Sequence, residues 1–177
     1  MPFSKMLLLA AVGMVFGISG IYIWTNWYPQ YKAERAIREN YNRLAAKEKE
    51  YQDQVYKALA EDTYGGKTPE ETMKLFAEAL RKGDVELASK YFVLDTKMES
   101  FGTPDFLSRE KWRDYIIEVK SRDLLIKMAD DIEKSTPIQN PEEGDFGYEI
   151  LNKDGSVGVL IDMQLNSFSK VWKIESL

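Results

Sequence analysis

Polar and apolar positions divide the chain into three stretches with different periods. From Met6 to Trp24, 19 positions pass without a charge: MLLLAAVGMVFGISGIYIW. As a helix rising about 1.5 Å per residue the run spans about 28 Å, close to the roughly 30 Å hydrocarbon core of a bilayer. It predicts a transmembrane anchor over residues 1–28. A secretory signal peptide has a shorter apolar core and a small-residue cleavage site. Lys5, Gly17 and Ser19 supply parts of such a signal, but the run continues through Ile21, Tyr22, Ile23 and Trp24. The uncleaved anchor is the preferred reading. Trp24, Trp27, Tyr28 and Tyr31 fall where rings are expected at a headgroup zone. Pro29 is expected to break or kink the path just beyond.

Residues 29–67 read as a helical stalk and linker. Ile37, Leu44, Tyr51 and Ala58 recur every seven positions, with Tyr41, Glu48 and Val55 between them. This weak heptad fits two arrangements. One is a short coiled coil that pairs protomers. The other, which is preferred, is a single amphipathic helix that acts as a stalk or packs on its own domain. Thr63–Lys67 then reads as a linker. Gly66-Lys67-Thr68 resembles the end of a phosphate-binding loop, but Glu61 stands where that motif requires its first glycine, and no apolar strand precedes it. Nucleotide binding is rejected on that ground.

Residues 68–177 carry the pattern of a folded domain. Thr68, Pro69 and Glu71 form a helix start with a capping box. Met73, Phe76, Ala77 and Leu80 then line one helical face. Gly83 is the expected left-handed stop, and Asp84 caps a second helix, Val85 to about Tyr91. Residues 95–107 contain the breakers Gly102 and Pro104 and predict no clear element. A helix begins at Ser108 with Trp112, Tyr115, Ile116 and Val119 inward, and another runs from about Arg122 to Glu133, closed by Thr136-Pro137. The last 33 residues alternate as antiparallel strands. Phe146, Tyr148 and Ile150 lead to a turn at Asn152–Gly155. Val157, Val159, Ile161, Met163 and Leu165 then form one face, opposite Asp162, Gln164 and Asn166. After a second turn, Trp172 and Ile174 share a face. The expected class is α+β: helices packed on one face of a curved antiparallel sheet.

Composition narrows the function. Lys5 is the one charged side chain in the first 24 residues, so the remainder carries 23 basic and 29 acidic residues. That balance disfavours nucleic acid as a partner. His and Cys are both absent. The commonest transition-metal ligands and the usual base or nucleophile of many hydrolases are therefore missing, and no cofactor, metal or catalytic residue is assigned. Gly13 and Gly17 form a G-x-x-x-G spacing with Gly20 one turn on, a face on which two membrane helices can meet. Lys32, Arg35, Arg38 and Arg43 beyond the run outnumber Lys5 before it, which alone favours a cytoplasmic domain.

The stretch TPEETMKLFAEALRKGDVELASKYF resembles the opening of the nuclear transport factor 2-like superfamily, the cystatin-like cone fold, and the terminal VWKIESL is similar to its small bacterial envelope members. The resemblance covers Thr68 to Leu177. It implies a cone between helices and sheet, with Tyr91, Phe92, Trp112, Tyr115, Tyr148 and Trp172 as possible lining. It also implies an extracytoplasmic domain with the N-terminus in the cytoplasm. Some members of the superfamily are enzymes using an Asp in the cone, for which Asp95 and Asp162 are the candidates here. By alternation Asp162 faces away from the apolar side, and the expected function is non-catalytic. It is that of a membrane-anchored structural or assembly component, in contact with the lipid bilayer, with other membrane or envelope proteins, or with further copies of itself as a homo-oligomer. The alternative is a binding module for a small apolar ligand or lipid.

Overall fold

The computed structural model describes the backbone of residues 3–140 and 145–177, and the side chains of residues 12–138 and 146–177. The chain divides into two compact units, Met1–Glu50 and Tyr51–Leu177. The first helix, α1 (Phe3–Glu61), contributes to both. The sequence placed the start of the domain at Thr68. The last turns of α1 belong to it as well, because Val55 is buried there and Leu59 is half-buried.

Within the first unit, the break expected at Pro29 is not found, and α1 runs through it. A proline removes one intrahelical hydrogen bond, and the turns on either side keep theirs. The side chains from Val12 to Trp27 are exposed. Trp24 stacks on Tyr28 at 4.6 Å between ring centroids and Trp27 on Tyr31 at 5.8 Å. The Lys32 ammonium lies 4.8 Å from the centre of the Tyr28 ring. Arg35 pairs with Glu39 one turn on, at 2.8 Å. Among the described residues no helix is long and apolar enough to cross a membrane. The side chains of Met6 to Ala11, the first six positions of the apolar run, lie outside the described residues.

The second unit is α+β. Helix α2 (Pro69–Lys82) starts as its sequence requires: the Thr68 hydroxyl accepts from the Glu71 amide, and the Glu71 carboxylate accepts from the Lys67 amide at 2.6 Å. It stops at Gly83, whose φ of 66° is open to glycine at little cost. Asp84 caps α3 (Val85–Ser89), which is shorter than its sequence suggests. A single 3-10 turn at Met98–Ser100 interrupts the segment 95–107. Then come α4 (Glu110–Ser121) and α5 (Leu125–Glu133).

Four antiparallel strands follow in the order β1-β2-β3-β4. They are β1 (Thr136–Asn140), β2 (Asp145–Leu151), β3 (Val157–Asn166) and β4 (Val171–Ser176). Strand β1 was not expected. It begins where Thr136-Pro137 was read as a helix stop, and proline is tolerated there because β1 is an edge. At the other edge the chain supplies its own partners. The β4 amides of Trp172 and Ile174 donate to the carbonyls of Gly66 and Tyr91, both at 2.9 Å, and Val93 donates to Ile174.

The main core lies between α2, α3, α4, α5 and one sheet face. Phe76, Phe92, Ile116, Ile161 and Ile174 are fully buried in it. The alternation expected along β3 holds at Ile161 and Met163 but not beyond them, since Val157, Val159 and Leu165 are 54, 37 and 43 % exposed. Ten residues of strand extend about 33 Å, whereas the 14 residues of α2 extend about 21 Å. The sheet outruns its apolar cover. Asn166, expected outside, is buried, because the end of α1 packs on the other face of the sheet and the Asn166 amide donates to the Leu59 carbonyl at 2.8 Å.

Candidate functional site

Strand alternation puts Trp172 and Ile174 of β4 on the main core face and Val171 and Lys173 on the opposite one. Lys173 nevertheless has only 1 % of its surface exposed. Its ammonium donates to Asp62 Oδ1 at 2.7 Å and to the Lys90 carbonyl at 2.7 Å. Asp62, immediately after α1, accepts from Arg109 through its other oxygen. Arg109 precedes α4, and its Nε donates to the Phe92 carbonyl at 2.5 Å. One carboxylate thus binds two cations that come from distant parts of the sequence.

The electrostatics follow from that count. Burial disfavours the charged form of Lys173, and the neighbouring Arg109 guanidinium adds to the effect. Together they outweigh Asp62 and bring the ammonium down to about 8. Burial also lowers Arg109, against the pull of Asp62. The cluster joins the end of α1, the start of α4, the segment after α3 and β4. It supplies fixed charge and directional hydrogen bonds, in a place where unpaired groups would be costly.

Two concavities adjoin the cluster. A small one of about 140 Å³ is lined by Asp62 and Lys173 together with Leu59, Asn166 and Phe168. The larger, about 830 Å³, contains Arg109 and shares Val93, Leu94, Thr96 and Gln164 with the first. Beside the apolar Val93, Leu94 and Trp112, its lining is charged and mixed in sign: Asp95, Asp105, Glu110, Asp114 and Glu175 against Lys97, Arg109 and Lys111. Its wall is an ordered loop. The Asp95 carboxylate accepts from the Lys97 amide and the Ser100 hydroxyl, both at 3.0 Å, and the Leu107 amide donates to the Asp95 carbonyl at 2.7 Å. Tyr51, Phe101 and Phe106 pack their rings behind it.

The residues singled out by sequence are dispersed. Of the six candidate lining rings, Trp112 borders the larger cleft. Phe92 stacks on Trp112 at 4.4 Å, and Tyr91 and Tyr148 are buried in the main core. Trp172 is half-buried against Phe146, and Tyr115 is 39 % exposed. These rings largely pack on their neighbours. The Tyr148 hydroxyl is buried, and burial, with the Glu70 carboxylate beside it, raises its pKa. Asp162 is exposed and accepts from the Ser176 hydroxyl. Asp95 holds its own loop. Gly13, Gly17 and Gly20 are exposed, with nothing within 4 Å of a Cβ built on them. Among the described residues no group of three or more His, Cys, Asp or Glu side chains could hold a metal ion.

Sequence reasoning missed Asp62, Arg109 and Lys173. The signal within reach was the strand VWKIES itself, where a lysine alternates with Trp172 and Ile174 next to Val171. It pointed to a second covered face only if the sheet was packed on both sides. No protein-family model, curated protein or solved structure matches the chain.

Proposed function

We propose that this protein is a single-pass membrane protein whose C-terminal α+β domain is a non-catalytic docking module within a membrane or envelope complex. In this reading the N-terminus is cytoplasmic, residues 1–28 are the anchor, and the domain from Thr68 onward, of nuclear transport factor 2-like cone type, faces outward. One observation carries it. Val12, Met14, Val15, Phe16, Ile18, Ile21, Tyr22, Ile23 and Trp24 are all 45–74 % exposed. A helix apolar on every side is stable where water is excluded, in a protein core or in lipid. The described part of the run falls short of a span, and the proposal takes in Met6–Ala11 to complete it. The ring pairs ending at Lys32 fit an interfacial belt, and the open Gly13, Gly17 and Gly20 face fits contact with a second helix. The ligand alternative has weaker support, because Phe92 and Trp112 stack directly on each other.

The test is carbonate extraction followed by protease treatment of intact cells and of spheroplasts. The proposal expects the chain to stay in the membrane pellet and the domain to be digested from outside. Release into the carbonate supernatant overturns the anchor. Retention with full protection from protease overturns the orientation and moves the docking partner to the cytoplasmic side.

A further inference from the structure

We infer that the last three turns of α1, Tyr51–Glu61, form a strap that leaves and rejoins the domain as one piece, with Asp62 as its clasp. The inference stands apart from the membrane reading, because it concerns contacts within Tyr51–Leu177.

Apart from the Tyr51 ring against Phe101 and Phe106 and the buried Val55, the strap has little apolar hold. Val55 is buried and Tyr51, Ala58 and Leu59 are half-buried, while the other side chains from Gln52 to Glu61 are exposed. Segments with so few buried apolar contacts open at a lower free energy than a core. The strap is held instead by directional contacts spread along its length. The Tyr51 hydroxyl donates to the Thr96 carbonyl at 2.6 Å. The Tyr56 ring meets Phe168 at 5.2 Å, Leu59 accepts from Asn166, and Asp62 closes the row on Lys173 and Arg109. The helix end cannot lose the last of these contacts without tilting the others out of range, so they fail together, and a helix end without tertiary packing frays and opens its amides.

The clasp differs from the other tethers in what it leaves behind. When Asp62 departs, Lys173 keeps the Lys90 carbonyl and Arg109 keeps the Phe92 carbonyl. Arg109 stays in the larger cleft among its other carboxylates, and Lys173 then stands in the small groove without its own. Asn166 and Phe168 of the same groove lose their partners on the strap. The strap is therefore a built-in cover for a groove on the second face of the sheet whose one lining cation is Lys173.

Hydrogen exchange of the full chain in detergent micelles tests this by peptide. In the native protein the amides of 53–62 should exchange as a block, faster than those of Phe76–Leu80 and Ile161–Met163. Asp62→Asn should speed that block about tenfold or more and leave the two core segments unchanged. Tyr51→Phe removes one hydroxyl at the far end of the strap and should speed the same block about threefold. The inference is overturned if Asp62→Asn leaves the block unchanged, or speeds strap and core alike. Should Asp62→Asn fail to fold, Tyr51→Phe decides alone: a rise confined to 53–62 supports the strap, and no rise overturns it.

Discussion

The two faces of β4 solve the same packing problem by opposite means. On one, Trp172 and Ile174 meet helices through an apolar core in which Phe76, Phe92, Ile116 and Ile161 are fully buried. On the other, Lys173 and its neighbours meet the end of α1 through one carboxylate, two cations and a few hydrogen bonds. The first kind of contact is non-directional and scales with area. The second depends on geometry and protonation, and its net worth is small because desolvation opposes the attraction. The core face should therefore set how stable the domain is. The charged face should set which segment sits on it and under what conditions.

The strongest way to break this contrast is to cut the core. Phe92→Ala removes a ring that stacks on Trp112 and meets Phe76 edge-on at 5.3 Å, and should cost about 3–5 kcal/mol in denaturant unfolding. A cost near that of the charged-face variants would erase the distinction.

Protonation sharpens it next. In the unfolded chain Lys173 keeps its proton up to its ordinary 10.5, whereas in the folded chain it gives it up near 8. Between those values the unfolded state binds more protons, so stability rises as pH climbs from about 8 to 10.5 and this source adds no slope below. Asp62 and Arg109 are the charged groups that face Lys173. Lys173→Met should abolish the rise while leaving Arg109 to pair with Asp62, which a pair of pH-dependent melting series will show.

The smallest effect is expected at the surface. Arg81 of α2 bonds Glu133 and Asp130 on α5, but such pairs are screened by water and salt. Arg81→Ala should shift the melting temperature least of the three and not at all in high salt.

What the sequence revealed tracks the range of the interactions. The Thr68 cap, the Gly83 stop and the β2–β3 turn with Gly155 at φ 82° are local rules, and each appears where it was read. Strand β1 escaped because Pro137 signals an ending within a helix and an edge within a sheet, and only the strand beside it decides which. Asp62 and Lys173 lie 111 positions apart. Nothing near either residue marks the pairing, because the cause is the packing of α1 on a face that local alternation leaves looking polar. The candidate site was thus legible as strand and helix, but not as a site.

The two borders of the sheet have a further consequence. At β1 a proline withholds a donor, and at β4 the backbone of Gly66, Tyr91 and Val93 already takes up the donors and acceptors on offer. A free strand border is a template on which other chains can nucleate fibrils. Here one border is blunted and the other occupied, so copies held close together can associate through side chains without their sheets merging into one ribbon.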